Sequence, residues 1–335
     1  MSTPSAPLRA HAIRFHEIGG PEVLRWDAID VPPPGPGEVR LRQTAVGLNF
    51  IDTYHRTGLY ALPLPSGLGS EGAGVVDAIG DGVPASYGLA VGDRVAYATG
   101  PIGSYAEARN IPASHVVPLP AGVDDRVAAA VMLKGMTAWY LAKRTHRIAP
   151  GEAVLVHAAA GGVGLILCQW AKHLGATVIG TVGSEEKAGL ARAHGCDHVI
   201  LYRQEDVAAR VRELTNGAKL PVVYDSVGKD TFTSSLDCLR PRGLLVTFGQ
   251  SSGAIPPFDP RVLAQKGSLF LTRPTLYDYV RARQELEEAA RDLFHVLTSG
   301  VVKVRIDRTR PLREAADAHR DLESRRTTGS TVLLP

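Results

Sequence analysis

The pattern of apolar and polar positions changes its rhythm once along the 335-residue chain, near Asp124. Before that point the apolar residues come in short runs. Residues 39–46 alternate apolar and polar side chains, the period of a half-buried strand, and residues 72–79 and 93–98 read as further short strands. Turn clusters separate them: Pro32-Pro33-Pro34-Gly35-Pro36-Gly37 and Pro63-Leu64-Pro65-Ser66-Gly67. This part is expected to form a compact, mostly antiparallel barrel or sandwich.

Beyond Asp124 strands and helices alternate. Residues 153–157 form a short apolar strand, a glycine-rich loop follows, and residues 163–174 carry apolar side chains at helical spacing. A strand over 177–182 precedes a helix that opens at Ser184, a good N-cap residue. Strand-like runs recur at 198–202, 222–227, 244–248 and 269–272. The alternation predicts an α/β fold with a parallel, doubly wound sheet. After Pro274 the pattern gives a long charged helix (278–298), a strand (301–306) and a final helix (312–324), expected to return to the first domain. The expected division is 1–125 for the β-rich domain, 126–273 for the dinucleotide-binding domain and 274–335 for the return.

Composition narrows the function classes. A chain of 335 residues with 44% hydrophobic and 21% charged side chains has enough apolar surface for two cores. The net charge is only +3 and its charges are interspersed, so nucleic acid is not an expected partner. Three cysteines, Cys168, Cys196 and Cys238, contain no C-x-x-C pair and make no disulfide framework. The first fifteen residues lack the apolar core of a signal peptide, and no run reaches the roughly 18 apolar residues of a membrane span. A cytoplasmic protein without a membrane partner is expected.

The central motif is Ala158-Ala159-Ala160-Gly161-Gly162-Val163-Gly164, which follows a strand and opens a helix. Ala159, Gly161 and Gly164 occupy the spaced positions of a dinucleotide fingerprint, with Ala for the first Gly, and the pyrophosphate would sit on the helix N-terminus. An NAD site calls for an acidic residue about 20 positions on, at the end of the second strand. Here that strand ends Gly180-Thr181-Val182-Gly183-Ser184, with Glu185 and Glu186 only afterwards. Ser184 and Lys187 can meet a 2′-phosphate instead, with Tyr202 at the end of the third strand. NADPH is therefore the expected cofactor.

The stretches Asn49-Phe50-Ile51-Asp52-Thr53-Tyr54, Gly58-Leu59-Tyr60, Leu133-Lys134-Gly135-Met136-Thr137-Ala138, residues 157–164, Val223-Tyr224-Asp225-Ser226-Val227-Gly228 and Glu323-Ser324-Arg325 stand in a definite order. Together they make the chain resemble the zinc-free quinone oxidoreductases, the zeta-crystallin-like branch of the medium-chain dehydrogenase/reductases. The resemblance implies a GroES-like catalytic domain, a Rossmann domain, a homodimer, and NADPH-dependent reduction of quinones. It implies that Asn49 and Tyr54 line the nicotinamide and substrate pocket. It assigns cofactor contacts to Lys134, Thr137, Tyr140, Ser184, Lys187, Tyr202, Phe248, Gly249, Gln250, Ser251 and Arg325. Phe50, Gly162, Val163, Gly183 and Ser226 join the cofactor-binding set with them. Gln250 departs from the family pattern, where Asn is usual.

Zinc-dependent relatives need Cys, His and Glu ligands, yet no cysteine lies among the first 167 residues, and Gly69-Ser70-Glu71 stands where those relatives place Gly-His-Glu. A site without a metal suits acceptors that are already electrophilic, quinones or conjugated enones. Tyr54 and Asn49 are the candidate catalytic donors to the developing oxyanion. An enone or enoyl reductase of the same fold, and a nucleotide-bound RNA-binding or structural protein, are the alternatives. The run Gly249-Gln250-Ser251-Ser252-Gly253 matches a nucleophile elbow formally, but Ala254-Ile255-Pro256-Pro257 cannot open the helix an elbow requires.

Overall fold

The computed structural model describes residues 6–324 and 327–335. The chain forms two compact units. One comprises residues 1–133, 280–294 and 304–335, the other 134–279 and 295–303.

The first unit begins with β1 (Leu8–Phe15), β2 (Arg25–Val31) and β3 (Glu38–Gly47), then a short helix α1 (Phe50–Arg56). β4 (Ser66–Gly67), β5 (Gly72–Ile79), β6 (Arg94–Tyr97), β7 (Ala108–Pro112) and β8 (Val117–Pro118) follow before α2 (Asp125–Tyr140). β1 pairs antiparallel with β2 and β4. β3 alternates buried Val39, Leu41 and Ala45 with outward Arg42 and Thr44, as a strand lying on a core does. Asp124 opens α2 by accepting hydrogen bonds from the amides of Arg126 (2.8 Å) and Val127 (3.4 Å).

The second unit runs β9 (Ala153–Val156), α3 (Gly162–His173), β10 (Thr177–Val182), α4 (Glu185–Ala193), β11 (His198–Leu201), α5 (Val207–Leu214), β12 (Leu220–Asp225), α6 (Phe232–Cys238), β13 (Leu239–Thr247), α7 (Arg261–Gln265), β14 (Phe270–Thr272) and α8 (Leu276–Tyr279). Its sheet has the order β11-β10-β9-β12-β13-β14 and every neighbouring pair is parallel. Helices on both faces explain the near-continuous apolar runs of β9 and β12, whose residues have no wet side.

The C-terminal part departs from the sequence reading in three places. The helix expected over 278–298 is interrupted, and α9 spans Arg283–Thr298. The Glu285 carboxylate accepts the Ala282 amide at 3.2 Å and so caps a new helix rather than decorating an old one. Residues 301–304 form no strand. The Gln169 side chain pins Lys303 there, accepting from its amide (2.9 Å) and donating to its carbonyl (3.1 Å). The strand comes later, as β15 (Ile306–Pro311), whose polar composition suits its place at a sheet edge. Helix α10 (Ala315–Glu323) starts after a single tight turn, not at Leu312. Finally β16 (Ser330–Leu334) inserts between β15 and β3 and completes a seven-stranded sheet.

Candidate active site

In the second unit the topology itself selects a place. β9 leads to β10 on one side while β12 lies on its other side, so the strand order reverses between β9 and β12. Ligands of open parallel sheets bind outside the carboxyl ends of the strands at such a point. The expected cofactor residues follow those ends in turn: Ala159, Gly161, Gly162, Val163 and Gly164 after β9, Gly183, Ser184 and Lys187 after β10, Tyr202 after β11, Ser226 after β12, and Phe248 to Ser251 after β13.

The glycine loop is tight for reasons its atoms make plain. Ala158 enters it in the left-handed region at φ 51°, and its carbonyl accepts the Gly161 amide at 2.9 Å. A Cβ on Gly164 would lie 2.3 Å from that carbonyl oxygen, so only glycine lets α3 start this close to β9. A Cβ on Gly180 would lie 2.7 Å from Cβ of Ala159, which seats the loop against β10. Gly161 is the N-cap of α3, a twelve-residue helix whose first amides face out of the loop. This cradle, at the sheet's switch point, fits a pyrophosphate.

At the end of β10 the Ser184 hydroxyl accepts the Lys187 amide at 3.4 Å, the expected N-cap contact. Ser184 is exposed and Lys187 half-buried. The Tyr202 hydroxyl lies where a Cβ on Gly183 would approach it to 2.7 Å, so these two positions are neighbours. Across the switch point the loops after β12 and β13 are stitched together. The Ser251 amide donates to the Ser226 carbonyl (3.2 Å), the Phe248 amide to the Asp225 carbonyl (2.8 Å), and a Cβ on Gly249 would lie 2.7 Å from the Ser226 carbonyl oxygen. No helix opens after Ser251 until α7, which removes the nucleophile-elbow reading.

Lys134, Thr137 and Tyr140 recur every three residues along α2 and share one face. All three are buried, and Tyr140 stacks on Tyr279 with centroids 4.4 Å apart and planes 11° from parallel. Burial, with the Tyr279 ring beside it, holds the Tyr140 phenol well above its ordinary pKa. Arg325 lies outside the described residues.

Asn49, Phe50 and Tyr54 belong to the first unit, at the start and middle of α1. Asn49 is its N-cap, and the Asp52 carboxylate accepts the Asn49 amide at 2.8 Å. The inward face of this helix is polar: Asp52, Thr53, His55 and Arg56 are all buried. A hydrogen-bonded chain satisfies much of it. Arg56 Nη1 stands 2.9 Å from His319 Nδ1, His319 Nε2 3.2 Å from the Tyr105 hydroxyl, and that hydroxyl donates to Asp52 at 2.9 Å. Arginine only donates, so Nδ1 of His319 carries no proton and Nε2–H points at Tyr105. Arg56 Nη2 also pairs with Glu323 at 2.6 Å. Tyr54 meets Tyr60 edge-on at 5.4 Å, and Phe50 at 6.2 Å.

Sequence reasoning missed three contributors. Tyr60 flanks Tyr54 and is partly exposed. Arg273 ties the loop after β13, donating to the carbonyl of Gly249 (3.0 Å) and to Gln250 Oε1 (3.3 Å), so the unusual longer amide at 250 has a partner. Glu71 is buried against Asn49. Tyr60 and Glu71 had local signals, in the Gly58-Leu59-Tyr60 and Gly69-Ser70-Glu71 runs, whereas Arg273 had none. Among the described residues no group of three or more His, Cys, Asp or Glu side chains could hold a metal ion. A cavity of about 640 Å³ beside Thr44, Arg94, Asp124 and Arg126 lies at the opening of α2 and includes none of the expected site residues.

Residues 35–121 match the alcohol dehydrogenase GroES-like domain family, and residues 162–295 the zinc-binding dehydrogenase family. A quinone oxidoreductase from Pseudomonas aeruginosa is 55% identical over 327 residues, covering 97% of this chain and 100% of that one. The crystal structure of Escherichia coli quinone oxidoreductase complexed with NADPH superposes with a TM-score of 0.93 at 50% identity, covering 97% of this chain and 100% of that one. A 2-haloacrylate reductase from Burkholderia is 49% identical over 331 residues, covering 96% of this chain and 98% of that one.

Proposed function

The chain belongs to the quinone oxidoreductase family of the medium-chain dehydrogenase/reductases, and on that footing we propose that it reduces quinones with NADPH and without a metal. The carrying observation is the side-chain inventory. Ser70 precedes Glu71 where a zinc site needs histidine, and the three cysteines lie only at 168, 196 and 238, all buried. Such a site has no Lewis acid to polarise an alkoxide, so it suits acceptors that take a hydride unaided.

NADPH, when bound, supplies the hydride. Ala159, Gly161, Gly162, Val163 and Gly164 hold its pyrophosphate, with amides of the α3 N-terminus as donors. Ser184, Lys187 and Tyr202 hold its 2′-phosphate end, and Ser226, Phe248, Gly249, Gln250 and Ser251 border the rest. Lys134, Thr137 and Tyr140 complete that set. Hydride arrival at a quinone leaves a negative charge on oxygen. The Asn49 amide and the Tyr54 hydroxyl donate hydrogen bonds to that oxygen, and one proton then completes the hydroquinone. The enzyme works in the cytoplasm as a homodimer.

NADPH oxidation measured across quinones, conjugated enones and 2-haloacrylates tests the reading. The highest kcat/KM is expected with quinones. A haloacrylate or enone turned over faster than every quinone would make this an alkene reductase.

A further inference from the structure

Glu71 lies immediately before β5 with no exposed surface. A buried carboxylate is tolerated only where donors replace the water it has lost. Among its donors, the Leu133 amide reaches Oε2 at 2.7 Å, and Asn49 Nδ2 reaches Oε1 at 2.7 Å. The carboxyl group also has space made for it. A Cβ on Gly47 would lie 2.3 Å from Oε1 and 2.5 Å from Cδ of Glu71, and 2.1 Å from the Ala129 carbonyl oxygen. Any larger residue at 47 would expel the carboxylate.

We propose that Glu71 is a positioning residue that sets which way the Asn49 amide faces. An ionised carboxylate only accepts, so Nδ2 of Asn49 must turn toward it. That leaves the second Nδ2 hydrogen for another acceptor and sends Oδ1 to the opposite side. Asp52 fixes the backbone of Asn49 through its carboxylate and, in the same capping box, turns its own amide toward the Asn49 side-chain oxygen, so Glu71 holds the Nδ2 end of an amide whose Oδ1 end faces the helix. The inference rests on the reading of Asn49 as the donor to the substrate oxyanion. With the amide inverted, an oxygen would face the developing negative charge.

Glutamine at 71 has nearly the same shape but one oxygen instead of two. The Leu133 amide and Asn49 Nδ2 then compete for it. When the backbone amide wins, the glutamine NH2 faces Asn49 and the amide turns over. Glu71→Asp keeps the charge but withdraws it by one methylene, so it breaks the same contact without an uncharged core.

The experiment compares wild type, Asn49→Ala, Glu71→Gln, Glu71→Asp and Asn49→Ala/Glu71→Gln with NADPH and a quinone. Cofactor affinity is followed by NADPH fluorescence, and the Asn49 side-chain NH2 resonance by NMR. Removing one oxyanion donor costs on the order of 10²–10³ in kcat. A loss of that order is expected in both Glu71 variants with NADPH affinity little changed, and the double variant should be no slower than Asn49→Ala alone. Full kcat in Glu71→Gln beside an impaired Asn49→Ala would overturn the proposal, as would losses that multiply in the double variant. Should Asn49→Ala keep full kcat, the catalytic reading of Asn49 is what fails. The resonance then decides the positioning role: a shift in Glu71→Gln sustains it, and an unmoved signal refutes it.

Discussion

At the end of β10, Ser184 and Lys187 stand where a carboxylate would grip a ribose hydroxyl and repel a phosphate. The Ser184 oxygen is committed to the Lys187 amide as an acceptor, yet its O–H remains a donor for a phosphate. A charge-assisted hydrogen bond contributes about 1.5–3 kcal/mol, roughly 10–150-fold in affinity. Lys187→Ala should weaken NADPH by about that factor and leave NADH nearly unchanged, with part of the difference fading in high salt. Specificity constants for both cofactors in wild type and variant check this, and equal losses for the two would mean the lysine does not meet the 2′-phosphate. The sequence signal for residues of this kind is a short, spaced motif. The contact of Glu71 with Asn49 carries no such signal: the two are 22 positions apart, and only the register of β5 against β3 brings them together.

Elements were legible where periodicity matched burial. β9, β10 and β12 are buried almost throughout and largely apolar because both their faces are covered, and the glycine loop punctuates the first of them. Helix α1 offered no such pattern. Its buried side is Asp52, Thr53, His55 and Arg56, held by hydrogen bonds from distant residues instead of apolar contact. β15 was misplaced for the same reason, since an edge strand reading Ile-Asp-Arg-Thr-Arg-Pro carries little apolar signal. The other sheet also has an edge, and it is not blunted by charge. β14 is outermost, short, and presents Phe270 at 61% exposure. Such an edge invites another strand, which supports the homodimer proposed above. Phe270→Asp should then convert a species of twice the 35.7 kDa chain mass into a monomer while the circular dichroism spectrum is retained. Light scattering reads the mass, and a wild-type monomer, or a variant that stays dimeric, would remove β14 from the interface.

Over the whole molecule, buried histidines set a limit on acid stability. Burial, with Arg56 beside it, lowers the pKa of His319 to about 3, and burial lowers that of His157 despite the nearby Asp225. His157 lies between the hydroxyls of Thr181 (2.9 Å) and Ser235 (3.0 Å). Both rings are neutral in the fold, whereas the unfolded chain takes up protons as pH falls through about 6.5. Unfolding therefore gains protons below that pH, and stability falls by up to roughly 1.4 kcal/mol per pH unit for each such histidine. The loss for His319 continues to about pH 3. Thermal unfolding at pH 5.0 should occur well below that at pH 7.5, and His319→Gln, which can still accept from Arg56, should flatten the dependence. An unchanged slope would place the acid sensitivity in another buried histidine such as His157, because the paired carboxylates Asp77 and Asp321 lose their contribution only at lower pH.

The interleaving of the two units along the chain has a consequence for synthesis. Residues 134–279 of the second unit emerge from the ribosome as one uninterrupted stretch, whereas β3 ends at Gly47 and the strand that flanks it begins only at Ser330. Val332 and Leu333 pair with Gly47 and Val46, so that flank of β3 stays unpaired until residues 330–334 have been made. The nascent chain must carry an open β-edge past the exit tunnel while the later unit is already able to fold. Chaperone contact during translation should accordingly concentrate on the early part of the chain and end when residues 330–334 emerge.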